Sequence, residues 1–254
     1  MTPEMQNFVT YAVPVLMLAY GNYDIDSDSS GFPHTFVKVR ALFGKMTAKG
    51  EGKDIDTVRK WAMDQKPPQK KTSHWWVSDL CKDANDAFHR LEKCDSVMRM
   101  FAEKFDPTVY SVDVVGGMNE LYISGPNRSG TSDQVFFTEH IDGPYILFPF
   151  ASIYRCIVGM DGNTEISTCF SNVYERKTAQ KGDILAFDFN REPHYITSEG
   201  NKPNKDFRVV LKLHYAVYPK RLAFFGWALH WLTTRYNELF RALFLFTLTP
   251  SEGR

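Results

Sequence analysis

The stretch Phe136-Phe137-Thr138-Glu139-His140-Ile141-Asp142-Gly143 decides how this chain is interpreted. Aromatic residues precede the histidine and Gly-Pro follows the aspartate, which is typical of a strand that runs into a turn. Because side chains alternate along a strand, we expect His140 and Asp142 to project from one face and Ile141 from the other. An imidazole and a carboxylate that point the same way can hold one metal ion.

A metal site of this kind needs a third ligand, and His194 is the best candidate. It follows a Gly-Asp turn and the apolar strand predicted over Asp183 to Phe189. Two neutral nitrogens and one carboxylate suit Fe(II) and leave coordination positions open. Zinc is less favoured but stays open. His214 is a rival for the position of the third ligand.

Two further strands are predicted around these ligands. Ile153 to Val158 should be a core strand that directs Tyr154 or Arg155 inward. Phe207 to Tyr215 should place two sets of side chains on opposite faces: Arg208, Val210, Lys212 and His214 on one, and Val209, Leu211 and Leu213 on the other. Arg208 is a candidate anion-binding residue, because a guanidinium offers a planar set of donors and stays charged. A surface ion pair with Asp206 is the alternative.

This order of motifs resembles the Fe(II)/2-oxoglutarate-dependent dioxygenases, most closely their prolyl-hydroxylase-type branch. The resemblance covers roughly Val114 to Pro219 and rests on the combined order and spacing of the motifs. It implies that His140, Asp142 and His194 bind iron and are the catalytic residues. It also implies that Arg208 pairs with the distal carboxylate of 2-oxoglutarate. If His214 were the metal ligand, no basic residue would follow it on the same strand, because Pro219 interrupts the chain, so we expect His214 to be a core or pocket-lining residue.

Two residues of the co-substrate site stay open under this resemblance. Lys212 lies on the same predicted strand face as Arg208 and competes with it as the anchor. Tyr122 lies on a predicted strand, Glu120 to Ser124, where related enzymes often place a tyrosine that hydrogen-bonds the co-substrate. A core position for the Tyr122 ring is at least as well supported.

The resemblance implies an oxidoreductase that uses Fe(II), 2-oxoglutarate and O2, with ascorbate as a stimulant. It would hydroxylate an unactivated C–H bond of a small-molecule or peptidyl substrate and release succinate and CO2. A carboxylate at Asp142 argues against halogenation, because related halogenases leave that coordination position for chloride. Two alternatives stay open: a cupin-like hydrolase or isomerase that uses zinc or manganese, and a non-catalytic jelly-roll binding module.

The expected fold is mainly β with flanking helices (α+β), around a double-stranded β-helix or jelly-roll core. We expect a single catalytic domain over residues 1–254, with a helical support region at 1–109, the core at 110–219 and an amphipathic helix at 220–248. The support region should contain a short helix from Asp54 to Asp64 and a longer one, capped by Ser78, that runs to about Phe105. Phe8 to Tyr20 is expected to be a buried strand or helix.

Composition narrows the partners and the compartment. Thirty basic and thirty acidic residues give no net charge, so nothing indicates nucleic-acid binding. The four cysteines, Cys81, Cys94, Cys156 and Cys169, lack the close pairing of a zinc site. They are most simply reduced, buried thiols of a cytoplasmic protein.

The stretch Leu222 to Leu248 predicts an amphipathic helix. Its apolar positions recur every three or four residues: Leu222, Phe225, Leu229, Leu232, Tyr236, Leu239 and Leu243. Charged residues on the opposite side make a transmembrane span unfavourable. Packing on the core is the first expectation, but Trp227 and Trp231 add more aromatic surface than one packed face needs. A homodimer contact or peripheral membrane association therefore stays open.

Overall fold

The computed structural model describes residues 39–69, 72–126, 138–143, 151–198 and 206–247. The strands are β1 (Ala41–Lys45), β2 (Thr72–Trp76), β3 (Tyr110–Val114), β4 (Glu120–Ser124), β5 (Ser152–Gly159), β6 (Ile166–Phe170), β7 (Glu175–Lys177), β8 (Asp183–Asp188), β9 (His194–Ser198) and β10 (Arg208–Pro219). The α-helices are α1 (Lys49–Asp64), α2 (Lys82–Glu92), α3 (Asp95–Ala102) and α4 (Gly226–Thr247). The predicted buried segment Phe8 to Tyr20 lies outside the described residues.

The strands form two antiparallel sheets. The larger sheet has the order β1-β8-β5-β10-β4-β2, with β3 also paired to β10, and the smaller has the order β7-β6-β9. His140 joins the smaller sheet through an antiparallel bridge to His194. Along the chain, β4, β5, β8 and β10 of the larger sheet therefore alternate with the His140 segment, β6–β7 and β9 of the smaller one. This alternation is a double-stranded β-helix and confirms the predicted fold.

Strand β10 lies at the centre of the larger sheet, between β5 on one side and β4 and β3 on the other. Its period-two pattern is confirmed. Val209, Leu211 and Leu213 are fully buried in the main hydrophobic cluster. Arg208, Val210 and Lys212 project from the opposite face, where they line a pocket between the two sheets.

Helices α1 to α3 cover the outer face of the larger sheet. Their buried side chains, among them Ile55, Phe88, Leu91 and Phe101, belong to the same cluster as Leu211 and Leu213. Each large apolar side chain buried in this way contributes about 1.5–3 kcal/mol. The helices therefore close one side of the sheet and leave its other face to the pocket.

The predicted helix from Ser78 to about Phe105 is wrong in its start and in its continuity. Ser78 lies in a 3-10 turn, Val77–Asp79, and Cys81 is the N-cap of α2. A continuous helix would join the amide of Ser96 to the carbonyl of Glu92. Instead that amide donates to Glu51 Oε1 at 3.2 Å, and the carbonyl accepts from the hydroxyl of Tyr215 at 2.7 Å. Tertiary hydrogen bonds have replaced the helical one, so α2 ends and α3 begins.

Other boundaries in the N-terminal region also differ from expectation. Helix α1 begins at Lys49 rather than Asp54, because the side chain of Glu51 accepts from the amide of Ala48 at 2.9 Å and caps the first turn. The region predicted as helical support also contributes β1 and β2, which pair with β8 and β4. All four cysteines are free thiols, but only Cys156 is buried. Cys94 and Cys169 are partly exposed and Cys81 is exposed, which corrects the expectation that all four are buried.

The C-terminal helix starts as a 3-10 turn, Lys220–Phe225, and continues as α4. Its buried stripe differs from the predicted one, since Leu229, Thr233 and Asn237 are buried while Phe225 and Leu239 are exposed. Relative to the prediction, the helix buries a different side, and it packs on the turn Gly116–Met118. Within the described residues, no helix is long and apolar enough to cross a bilayer.

Candidate metal centre

The structure brings the three predicted ligands together. One ligand atom from each of His140, Asp142 and His194 lies within 4.8 Å of the other two. His140 Nε2 is 3.6 Å from Asp142 Oδ1, and His194 Nε2 is 3.5 Å from Asp142 Oδ2. The two imidazole nitrogens and the carboxylate therefore converge on one point, as period two along the first segment predicts.

Backbone hydrogen bonds hold the two ligand segments side by side. His140 and His194 exchange two bonds, each with a nitrogen to oxygen distance of 3.0 Å. The amide of Gly143 donates to the carbonyl of Phe189 at 3.0 Å, and Asn190 Nδ2 donates to the carbonyl of Gly143 at 2.7 Å. The turn after β8 thus clamps the His-x-Asp segment against the start of β9. Only glycine fits at Gly143, because an added Cβ would lie 2.0 Å from the Phe189 ring.

Backbone carbonyls select the tautomer of both histidines. His140 Nδ1 lies 2.8 Å from the carbonyl of Thr138, and His194 Nδ1 lies 3.2 Å from the carbonyl of Glu192. A carbonyl oxygen only accepts, so each Nδ1 carries the hydrogen and each Nε2 keeps its lone pair. Both lone pairs then face Asp142, which is the arrangement that a bound metal requires.

Burial and charge set the protonation of the cluster. Burial lowers the pKa of His194 to about 4, so its ring is neutral at neutral pH. Burial alone would raise the pKa of Asp142, but the charge of Arg155 and the two histidines hold it well below its usual range. Burial opposes protonation of His140, yet its bond to Asp142 leaves its pKa raised above 6.5. Without metal, His140 is thus the ligand that retains a proton most readily.

Arg155 is the inward-facing residue of β5 that reaches this cluster. Its Nη1 donates to Asp142 Oδ2 at 2.5 Å, and its guanidinium lies over the Phe189 ring. Tyr154, on the other face, is fully buried in the hydrophobic core. His214 is also fully buried and lies outside the three-residue cluster, as predicted, where it contacts Arg155.

A pocket between the two sheets is lined in part by these three residues. Its remaining walls come from both sheets: Tyr122, Arg155, Ile157, Thr168, Ile196, Arg208, Val210 and Lys212. Arg208 is almost completely buried. Lys212 Nζ lies 2.9 Å from Glu120 Oε1 and 4.4 Å from the centre of the Tyr122 ring. The structure therefore places both predicted basic residues and Tyr122 on the pocket wall.

Thr168 is a pocket residue that sequence reasoning missed. Its side chain is 1% exposed, and its Oγ1 has no hydrogen-bond partner among the residues that the structure describes. A buried hydroxyl without a partner is costly unless a ligand satisfies it. Period two along β6 could have indicated it, since Thr168 shares a face with Ile166 and Phe170.

Solved structures similar to this chain include several 2-oxoglutarate-dependent enzymes. The viral collagen prolyl hydroxylase of Paramecium Bursaria Chlorella virus-1 is 12% identical with a TM-score of 0.45, over 70% of this chain and 96% of that one. SnoN, an alpha-ketoglutarate dependent epimerase from nogalamycin biosynthesis, is 11% identical with a TM-score of 0.47, over 70% and 79%. A Trichoplax adhaerens prolyl hydroxylase is 11% identical with a TM-score of 0.44, over 81% and 92%.

No protein-family model matches this sequence, and no curated protein matches it. The fold therefore rests on the strand topology, and the chemistry rests on the residues of the site. By its topology, this chain adopts the double-stranded β-helix that was expected from its resemblance to the Fe(II)/2-oxoglutarate-dependent dioxygenases.

Proposed function

We propose that this protein is an Fe(II)- and 2-oxoglutarate-dependent dioxygenase that hydroxylates a C–H bond of a small-molecule or peptidyl substrate. One observation carries the proposal. Two imidazole Nε2 atoms and one carboxylate converge in the wall of a pocket that is also lined by a buried arginine. The ligand set gives a metal three protein donors and leaves positions for other molecules. The arginine gives a carboxylate of the co-substrate a partner.

The donor set fits iron. His140 and His194 present neutral nitrogens with their hydrogens directed away to carbonyls, and Asp142 supplies the anion. In our proposal these three residues hold the metal. Iron bound there supplies the redox chemistry that couples decarboxylation of 2-oxoglutarate to oxidation of the substrate by O2.

The pocket wall fits a small dicarboxylate. Arg208 supplies charged donors, and the Thr168 hydroxyl offers a hydrogen that has no partner among the described residues. Lys212 is the competing candidate for the anchor, and its Nζ lies 2.9 Å from Glu120 Oε1. Ile157, Ile196 and Val210 add apolar surface, which excludes water and strengthens the attraction between the co-substrate and Arg208.

The test is anaerobic visible absorption of metal-free protein after addition of Fe(II) and then 2-oxoglutarate. We expect a metal-to-ligand charge-transfer band in the wild type. His140→Ala should abolish it, and Arg208→Ala should raise the 2-oxoglutarate concentration needed for half of the band by about tenfold or more. No band in folded, iron-loaded protein would reject the proposal in favour of a zinc or manganese hydrolase or a binding module. Once the cofactors are established, succinate release that depends on an added compound identifies that compound as a substrate. Repeating the assay with ascorbate tests whether ascorbate stimulates the reaction.

We also infer that the exposed side of α4 is a surface for peripheral membrane contact. Phe224, Trp227 and Trp231 are 65%, 75% and 56% exposed and follow one another at helical spacing. Tryptophan side chains are usually largely buried, and those that are exposed on an amphipathic helix favour the interface of a bilayer. Lys220 and Arg221 are exposed at the start of this stripe, where they would meet anionic headgroups.

Sedimentation with phosphatidylcholine vesicles, with and without phosphatidylserine, tests this surface. We expect the wild type to sediment with the vesicles and the Trp227→Ser, Trp231→Ser double variant to stay in solution. Tyr174→Ser is the matched control, because Tyr174 is a 92% exposed aromatic residue on another turn. A concentration-dependent dimer that the double variant loses, without vesicle binding, would assign the surface to a second copy of the chain instead.

A further inference from the structure

A continuous series of hydrogen bonds leads from the metal-binding carboxylate to helix α2. Arg155 Nη1 donates to Asp142 Oδ2 at 2.5 Å, and Arg155 Nε donates to His214 Nε2 at 2.9 Å. His214 Nδ1 lies 3.2 Å from Asn119 Oδ1, and Asn119 Nδ2 donates to Glu92 Oε1 at 2.6 Å. We call these five residues, Asp142, Arg155, His214, Asn119 and Glu92, the buried relay.

The members of the buried relay are shielded from water. Glu92 is 3% exposed, Asn119 1% and His214 0%, while the side chains of Arg155 and Asp142 are 12% and 13% exposed. Inside a protein a donor that faces another donor costs more than the hydrogen bond it replaces would contribute. One arrangement of donors and acceptors along the buried relay is therefore favoured, in which each donor faces an acceptor.

The acceptor at the far end sets the direction of every bond. A carboxylate accepts, so Glu92 turns the amide nitrogen of Asn119 toward itself and the oxygen toward His214. That oxygen also accepts from the backbone amide of His214 at 2.6 Å. The hydrogen of the imidazole consequently lies on Nδ1, and Nε2 is left with the lone pair that receives Arg155 Nε. Burial and the charge of Arg155 lower the pKa of His214 well below its usual range, in agreement with a neutral ring.

We propose that His214 is a positioning residue of the metal site. By accepting from Arg155 Nε, it holds the guanidinium so that Nη1 engages one oxygen of Asp142 and leaves Oδ1 for the metal. Asn119 and Glu92 fix the tautomer that makes this possible. This inference rests on the proposed metal site. It assigns a role to a histidine that lies on the same strand as the co-substrate anchor yet binds neither metal nor co-substrate.

Binding of Co(II) alone to metal-free protein, followed by visible absorption, tests the proposal. His214→Leu and His214→Phe remove the acceptor and should weaken Co(II) binding by about tenfold to a hundredfold, the usual effect of losing a partner of a metal ligand. They should also change the intensity of the Co(II) bands, because Asp142 can then turn. His214→Gln restores a carbonyl acceptor near the position of Nε2 and should stay within about threefold of the wild type.

The comparison separates positioning from stability. All three variants lose the side-chain bond to Asn119, so all three melting temperatures should fall. The fall should be larger for the Leu and Phe variants, which also leave Arg155 Nε without its acceptor. Only these two variants should lose Co(II) affinity. His89→Ala is the control outside the buried relay, since His89 touches Glu92 from the solvent side. It should leave Co(II) binding unchanged. Equal affinities for His214→Gln and either variant without an acceptor would overturn the role of His214. A wild type that binds no Co(II) would reject the proposed metal site, and this inference with it.

Discussion

A single hydroxyl offers a test of the proposed co-substrate pocket. Thr168→Val keeps the shape of the side chain and removes the donor that has no partner among the described residues. A hydrogen bond to a charged group contributes about 1.5–3 kcal/mol. The 2-oxoglutarate concentration at half-saturation should therefore rise by about tenfold or more. Fe(II) binding without 2-oxoglutarate should not change. The charge-transfer band described above measures both.

Thr178→Val is the matched control for Thr168→Val. Thr178 bonds Ser167 Oγ at 2.8 Å and does not line the pocket. It should leave the 2-oxoglutarate requirement unchanged. If Thr168→Val binds 2-oxoglutarate like the wild type while Arg208→Ala does not, the distal carboxylate lies on Arg208 without contact to β6.

The protonation of the two histidines predicts how metal binding depends on pH. Below its raised pKa, His140 must release a proton before it binds metal, whereas His194 is already neutral down to about pH 4. Between pH 4 and pH 6.5, the logarithm of Co(II) affinity should therefore rise by about one unit per pH unit. Calorimetry in two buffers of different ionisation enthalpy counts the protons released. A release of two protons in this window would show that His194 also holds a proton.

At the scale of elements, the contact between two turns decides whether the ligands meet. Gly143→Ala would place a Cβ 2.0 Å from the Phe189 ring, so the His-x-Asp segment or the turn after β8 must move. Overpacking of this kind costs about 1–3 kcal/mol. We expect a lower melting temperature and a loss of Co(II) affinity, both measured on the same protein.

Gly162→Ala is the control for this substitution, because a Cβ at Gly162 meets nothing within 4 Å. Its melting temperature and Co(II) affinity should stay at wild-type values. If Gly143→Ala lowers stability without changing Co(II) affinity, the two turns support the fold but do not hold the ligands in place.

Strand patterns in the sequence predict the core because period two is a local property. Alternation alone places Arg208 and Lys212 on the pocket face of β10 and Leu211 on the core face, and the structure agrees. The break between α2 and α3 is different, since the competing partners of its backbone, Glu51 and Tyr215, are distant along the chain. No local pattern contains that information.

The residues of the candidate site also divide into those that a local sequence pattern predicts and those that depend on tertiary contacts. His140 and Asp142 are two residues apart on one segment, and this spacing predicts that their side chains point the same way. Thr168 and Arg155 reach the pocket from strands whose partners are fixed only by the sheet topology. The role of Thr168 depends on its hydroxyl having no partner among the described residues, and the role of Arg155 depends on which oxygen of Asp142 it bonds. Both are properties of the folded molecule.

At the scale of the whole molecule, the larger sheet separates two environments. Helices α1 to α3 bury one face in apolar contacts, and the other face carries the charged groups of the pocket. Among the described residues, α4 contributes none to the main hydrophobic cluster. Its Leu229 belongs to a separate hydrophobic cluster that also contains Ala216 and Phe189. Because Phe189 is the ring that packs on Gly143, the helix supports from outside the end of the molecule that carries the proposed metal site.

The two sides of α4 should therefore respond differently to truncation. Leu229→Ala leaves a cavity in the cluster that contains Phe189 and should lower the free energy of unfolding by about 2–5 kcal/mol. Trp227→Ala removes a side chain that is 75% exposed and should change that free energy by no more than about 0.5 kcal/mol. Urea unfolding of the two variants measures both effects. A large decrease in the free energy of unfolding for Trp227→Ala would mean that its ring is covered in solution, either by another copy of the chain or by residues outside those described. The exposed face of α4 would then not be available to a membrane.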